Sequence, residues 1–541
     1  MQFGVYPHFS KIFVEATSAN FRYLVHMKQL PIGIQDFKVL REGNYIYVDK
    51  TEHIHRLATT GKYYFLSRPR RFGKSLLLTT IRDLYAGRKS LFEGLWIEDH
   101  WDWAATSPVL HFYFDKINYA QKGLANALVY DLNRKAEHYG LTLAATDYKS
   151  LFVELLEKLA AKNGPVVLLI DEYDKPILDY LSEEDLDTAK ANRHILREFY
   201  GIIKGSDADL RFVLLTGVSK FAKVSVFSHL NNLNDLTLHR EYATLTGYTQ
   251  TELEHYFTDY ITAAKTALEI SEADLLKTMK DWYNGYSWDG EHKVYNPFGI
   301  LNFFSNKAFS NFWFSTGSPR FLIEQMKEQG VYQVEDIEVS NTAFERFDIE
   351  NLTLVPLLFQ AGYLTVKSSN RMTGEYILGY PNLEVQESMY EHLIDELAHN
   401  PSRLNTGRTI QDMQRAFIRN ELDEVRYILE AILSDLPYEV FDRKSEGLYH
   451  GLVHLIFNYL GIYAQSEVHS SKGRADAIVE TPTHVYIFEF KFDQSAEAAL
   501  EQILSNAYAD RYRSSKKKIT GIGVNFKPDQ RTALDWKVAH L

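Results

Sequence analysis

Residues 63–76 read Tyr-Tyr-Phe-Leu-Ser-Arg-Pro-Arg-Arg-Phe-Gly-Lys-Ser-Leu. The apolar run Tyr63–Leu66 predicts a short buried strand, and the helical pattern Leu76–Tyr85 ends at Gly87. A strand, a tight turn carrying Gly73-Lys74-Ser75 and then a helix are the context of a phosphate-binding loop. The helix N-terminus offers unpaired N–H groups and a partial positive charge to phosphate. Gly73 permits close backbone approach, Lys74 reaches the β- and γ-phosphates, and Ser75 places its hydroxyl on Mg²⁺. The pattern G-x-x-x-x-G-K-[ST] asks for glycine at position 68, where the chain has Arg68. With Arg70 and Arg71 it makes the loop strongly cationic, either adding charge to the phosphate cradle or meeting a polyanion. The expected nucleotide-binding segment is Arg68, Arg70, Arg71 and Phe72 followed by Gly73, Lys74, Ser75 and Leu76. The competing reading is an exposed basic turn that happens to precede Gly-Lys-Ser.

A second motif lies downstream. Val166–Ile170 is an apolar run that ends in Asp171-Glu172-Tyr173-Asp174. A buried strand of this kind delivers Asp171 at its carboxyl end to hold Mg²⁺ with Ser75, and sets Glu172 to polarise an attacking water. The bland alternative is a buried strand that meets a solvated acidic loop. Phe212–Leu215 is another apolar run, closed by Thr216-Gly217-Val218-Ser219. Thr216 or Ser219 would sense the γ-phosphate or simply cap the strand. Arg193, Arg197 and Arg320 are candidate arginine fingers, with a surface role as the alternative for each.

Around these motifs, strands at Tyr63–Leu66, Val109–Phe114, Val166–Ile170 and Phe212–Leu215 alternate with helical segments. That pattern predicts an α/β fold, a P-loop NTPase core with a parallel sheet. The chain has 541 residues, no cysteine and a formal net charge of −12. Its length predicts three to four domains. Hydrophobic residues make up 45% of it, enough to exclude a largely disordered chain. The lack of cysteine excludes disulfides, thiolate metal sites and a cysteine nucleophile. Without a signal-like start or a long apolar run, no membrane span is expected and the cytoplasm is the default compartment. Residues 1–26 read as an extension ahead of Met27.

The end of the chain carries a different cluster. Gly473–Glu480 and Val485–Phe492 flank a short turn and read as a hairpin. In the second strand Val485, Ile487, Glu489 and Lys491 share one face, and Tyr486, Phe488, Phe490 and Phe492 share the other. Charged residues in so apolar a strand are costly without partners, and Asp476 on the neighbouring strand supplies one. Asp476 and Glu489 can chelate Mg²⁺, while Lys491 orients or deprotonates water and stabilises charge at phosphorus. The competing reading is a buried Glu–Lys pair with a structural role. Glu467 and the stretch Glu446–His450 are candidates to complete the site. Gln502 and Tyr508 are expected to touch a nucleic-acid backbone. From residue 445 onward eleven Lys/Arg balance eleven Asp/Glu, so the net negative charge lies elsewhere. Lys516, Lys517 and Lys518 form a run that could meet phosphates or lie on a solvated turn.

The expected organisation is an ATPase-like domain at 27–237, a helical or winged-helix-like lid at 238–300, a mixed, mainly helical region at 301–440, and an α/β domain at 441–541. Arg68–Leu76, Leu168–Ile177, Leu215–Phe221, Trp282–Tyr286, Ser315–Pro319 and Gly473–Lys491 together resemble bacterial AAA-ATPase-like proteins with a C-terminal PD-(D/E)XK nuclease-superfamily domain. The resemblance runs from about residue 27 to the end, in the order of that family. It implies ATP as ligand, Mg²⁺ as cofactor and metal-dependent nuclease chemistry, with nucleic acid, DNA first, as partner and homo-oligomerisation as an option. Many such nucleases carry a glutamate where Tyr449-His450 stands here. Two functions follow as expectations: an ATP-regulated nuclease, or a nucleotide-dependent switch that binds nucleic acid with little cleavage.

Overall fold

The computed structural model describes residues 27–219, 230, 232–314, 320–329, 331, 334–341, 344, 353–397, 406–434, 455–460, 464–470, 473–526 and 534–541. The chain forms two compact units. One runs to Trp313 and adds Glu338–Pro381; the other takes Phe314–Ile337 and Asn382–Leu541. The helical region expected at 238–300 thus lies within the first unit, and the region at 301–440 is divided between the two.

The first unit is built on β1 (Tyr63–Ser67), β2 (Val109–Tyr113), β3 (Val166–Asp171), β4 (Leu210–Gly217) and β5 (Asn234–Asp235), in the order β2-β3-β4-β1-β5. All four pairings are parallel. Parallel strands need helical crossovers, which cover both faces, so their sequences are continuous apolar runs. In β3, Leu168 and Ile170 join the core on one face while Val167 and Leu169 join the core on the other. The helix that follows β1, α1 (Lys74–Tyr85), packs on the second face through Leu77, Leu78, Ile81 and Leu84. Helix α2 (Leu186–Gly205) packs on the first through Leu196, Phe199 and Ile203. Residues 250–306 hold four helices around an aromatic core that includes Phe257, Tyr283, Phe303 and Phe304. A three-stranded sheet follows, β6 (Ile337–Ser340), β7 (Thr365–Asn370) and β8 (Glu375–Gly379), in the order β6-β8-β7.

The second unit contains helix α3 (Leu383–Leu397), the helices Thr406–Arg419 and Leu422–Ser434, and a mixed sheet. Its strands are β9 (Ala464–Ser470), β10 (Gly473–Glu480), β11 (His484–Phe492), β12 (Lys518–Phe526) and β13 (Asp535–His540), in the order β13-β12-β11-β10-β9. β10 and β11 form the expected antiparallel hairpin, whereas β11 and β12 run parallel across α4 (Ala496–Ser505). A Cβ at Gly523 of β12 would overlap the Ala496 carbonyl, so glycine lets the crossover helix lie close on the sheet. The apolar periodicity of Asp412–Leu433 reads as one continuous helix, but the chain forms two, Thr406–Arg419 and Leu422–Ser434. Asn420 adopts a left-handed φ of 60°, which ends the first of them. Tyr486 of β11 then donates to the Phe417 carbonyl and to Asn420 Oδ1, both at 2.9 Å. Among the described residues no helix is long and apolar enough to cross a membrane.

Candidate functional site

The loop after β1 turns through two left-handed residues, Arg71 (φ 69°) and Gly73 (φ 88°). No atom lies within 4 Å of a Cβ built on Gly73, so backbone conformation rather than crowding asks for glycine there. Helix α1 begins at Lys74, and Ser75 stands half-buried in its first turn. The first-turn N–H groups lack carbonyl partners within the helix, the condition that suits phosphate. Lys74 is buried, and its ammonium donates to the carbonyls of Arg68 (2.8 Å) and Pro69 (2.9 Å). Burial pushes its pKa down to about 8, against the pull of Asp171, Asp174 and Glu172. Those acidic groups therefore share one edge of the sheet with the lysine.

That edge is completed by β3 and β4. Asp171 ends β3, buried, and accepts from Thr216 Oγ1 at 2.8 Å. Glu172 follows with a left-handed φ of 53° that turns the chain out of the sheet. Burial and then Asp171 and Asp115 raise its pKa, opposed by Lys175 and Lys74. Asp174 is buried and accepts from the backbone N–H groups of Val218 (3.0 Å) and Ser219 (2.6 Å) and from the Ser219 hydroxyl. Ser219 is thus a clasp between the ends of β3 and β4, and Thr216 reports to Asp171.

Arg68 is not part of a phosphate cradle. Its side chain is 1% exposed, stacks on the Trp288 ring at 3.9 Å, and donates to the carbonyls of Ser67, Thr237 and Tyr242. Burial lowers its pKa to about 9, partly offset by Asp235 and Asp289. The reason lies in the strand end. At position 68 the chain is still paired with β4 through Arg68 N to Gly217 O, so the side chain is directed into the protein. Arg70 and Arg71 are exposed, with Arg71 over the Phe298 ring at 5.1 Å. Phe72 is buried, and Leu76 packs against the α1 core. Arg193 and Arg197 are half-buried on α2, and Arg320 opens a helix of the other unit.

The second cluster assembles on the hairpin. Asp476 on β10 accepts from the Phe490 N–H at 2.8 Å through Oδ2. Glu489 on β11 is 2% exposed. Its Oε1 lies 3.3 Å from Lys491 Nζ, while the buried Oε2 has no hydrogen-bond partner among the described residues. Burial first, and Asp476 next, push the Glu489 carboxyl up to about 7, against Lys491. Lys491 also donates to Gln502 Oε1 of α4 at 2.6 Å. Gln502 therefore orients the lysine, and Tyr508 is buried in the core beside α4 rather than presented to a ligand. Lys517 of the basic run pairs with Glu480 at 2.7 Å. Residues 446–450 and the Glu467 side chain lie outside the described residues. An orphaned carboxylate oxygen beside a second carboxylate suits a hard divalent cation with oxygen ligands. A further group, Asp289, Glu291 and His292, stands close together but has other bonds. Asp289 accepts from Ser287 Oγ and from the N–H groups of Glu291 and His292, and Glu291 pairs with Arg240 and Arg371.

Comparison with known proteins matches the two ends of the chain to two families. A family profile described as a predicted AAA-ATPase matches residues 31–227, and one described as PD-(D/E)XK nuclease superfamily matches residues 444–536. A protein of Azotobacter chroococcum mcd 1, "Uncharacterized protein in vnfD 5'region", is 38% identical over 528 residues, covering 95% of this chain and 99% of its own length. Among solved structures, the Aeropyrum pernix ORC2 protein (ADPNP–ADP complexes) matches with a TM-score of 0.27 at 12% identity, over 69% of this chain and 95% of that one. The Aeropyrum pernix ORC1 protein in complex with DNA matches with a TM-score of 0.24 at 11% identity, over 63% and 91%. The chain belongs to the bacterial family that joins a predicted AAA-ATPase domain to a C-terminal PD-(D/E)XK nuclease-superfamily domain.

Proposed function

We propose that this protein is an ATP-regulated, Mg²⁺-dependent nuclease that acts on DNA. The observation that carries the reading is the presence of two separate phosphate-chemistry clusters in one chain. Lys74, Ser75, Asp171 and Glu172 gather at one, and Asp476, Glu489 and Lys491 at the other. Mg²⁺, when bound at either, supplies Lewis acidity to phosphate oxygens. At the first cluster Lys74 exchanges its two carbonyl partners for β- and γ-phosphate oxygens over the first turn of α1. Ser75 and Asp171 are the residues that would hold the cation, and the Thr216 hydroxyl fixes the Asp171 carboxylate for that task. Glu172, its basicity raised by burial, draws the proton of the attacking water. At the second cluster Asp476 and Glu489 are the residues that would hold the cation, whose charge would favour the ionised form of Glu489. Lys491, oriented by Gln502, holds the attacking water or stabilises the developing charge. A ring of copies is the arrangement in which an arginine from a neighbour would complete the ATPase.

The test is cleavage of single- and double-stranded DNA and RNA by the full chain, with and without ATP and Mg²⁺. The wild type should cut with Mg²⁺ at a rate that ATP changes. Glu489→Ala and Lys491→Ala should each lose about 10²-fold or more. Activity that persists in both variants would remove the site assignment. One observation favours a second reading, a nucleotide-dependent switch that binds nucleic acid without cutting it. Asp476 Oδ2 is already taken by the Phe490 N–H, which leaves fewer free oxygens for a cation. Nucleic acid that is retained but left intact by the wild type would select that reading.

A further inference from the structure

The phosphate loop is held from behind by aromatic side chains to which the nucleotide reading gives no role. Trp313 Nε1 donates to the Arg70 carbonyl at 3.2 Å. Its ring meets Tyr363 at 5.4 Å and Tyr286 at 6.2 Å, both edge-on. Phe72, two residues along the loop from Arg70, is 1% exposed and meets Tyr286 at 4.8 Å and Trp288 at 5.4 Å. A Cβ on Gly362 would lie 2.7 Å from the Pro69 ring and 3.2 Å from the Trp313 indole, so this layer also presses on Pro69.

The chain leaves the first unit through the same layer. Trp313 is the last residue before Phe314 opens the other unit, and Pro381 is the last before Asn382. Gly285, next to Tyr286, lies so close to Pro381 that a Cβ there would overlap the Pro381 carbonyl. The peptide groups of Arg68, Pro69 and Arg70 are consecutive. The first two hold the Lys74 ammonium and the third holds the Trp313 indole. A lysine that moves to phosphate releases the first two carbonyls and changes the setting of the third.

We propose that Trp313 is a positioning residue of the phosphate loop. The inference rests on the nucleotide reading of this loop. The loop conformation that Trp313 favours sets nucleotide affinity.

Wild type, Trp313→Phe and Lys74→Ala are compared as full chains. Affinity for a fluorescent (N-methylanthraniloyl) ATP with Mg²⁺ is read by anisotropy, and the melting temperature is read without nucleotide. Trp313→Phe keeps a ring and removes the N–H. It should weaken nucleotide about fivefold, the loss of one neutral hydrogen bond, with little change in melting temperature. Equal nucleotide affinity of wild type and Trp313→Phe overturns the positioning role and leaves ATP binding standing. A wild type that binds no nucleotide removes the ATP reading and this inference with it.

Discussion

Arg68 occupies the position at which the usual phosphate loop has its first glycine, and its guanidinium ties three carbonyls together under the loop. Arg68→Met should remove that tie and take the guanidinium donor from the carbonyls of Ser67 and Thr237, while Tyr242 keeps the Leu245 N–H. A loss of about 2–4 kcal/mol in urea or thermal unfolding is expected. Arg70→Ala and Arg71→Ala, at exposed positions, should stay within about 0.5 kcal/mol of wild type. Equal losses at all three positions would refute this division. The sequence shows three arginines close together and cannot separate them, because the partner of Arg68 is Trp288 on a distant segment. Gly73, Lys74 and Ser75 were legible for the opposite reason. They sit in a local strand–turn–helix frame that the adjoining residues encode. Glu489 was legible in part. Its alternation with Ile487 and Lys491 places it on one face, but the orphaned oxygen and the Gln502 contact arise from the fold.

At the scale of the element, α3 carries Glu387, Glu391 and Asp395 at intervals of four residues, one stripe of like charge. Burial and then Glu391 push the Glu387 carboxyl up to about 7 from its ordinary value of 4.5. Between these two values the folded chain keeps a proton that the unfolded chain has released. Stability from this group is therefore complete below about 4.5 and declines as pH rises through about 7. Glu387→Gln should melt higher than wild type at pH 8, and the difference should close as pH falls toward 4.5. A difference that is constant with pH would show that Glu387 titrates normally. Elements with strong periodicity were readable: all four long strands of the first sheet lie within two residues of the expected bounds. The break at Asn420 was not, since the helical pattern runs on through Asp412–Leu433 and only Tyr486, from another segment, fixes the turn. β13 also escaped notice, because Asp535-Trp536-Lys537-Val538 is a half-exposed edge whose alternation is short.

For the molecule as a whole, ligand linkage gives the clearest measurement. ATP with Mg²⁺ at about 100 times its dissociation constant should stabilise the wild type by about 2.7 kcal/mol, and Lys74→Ala should abolish the shift. A melting temperature that ignores ATP in the wild type would refute nucleotide binding. The two ends of the chain were readable as separate domain types because each carries a compact motif. The partition of the middle was not, since residues 338–381 return to the first unit after an excursion into the second, and no local pattern records such a return.

That return governs how the protein can be made and divided. As the chain emerges during synthesis, the five strands of the first sheet appear early, yet Gly285 and Gly290 wait for their cover, Pro381 and Ser368, until some of the other unit has already been translated. The first unit therefore finishes folding late, with part of its neighbour already outside the ribosome. A gene fragment that stops at Trp313 lacks β7 and β8, and one that stops at Pro381 carries residues 314–337 without the rest of their unit. No single break in the polypeptide yields both halves whole, so recombination could exchange one for another only by cutting at several points together.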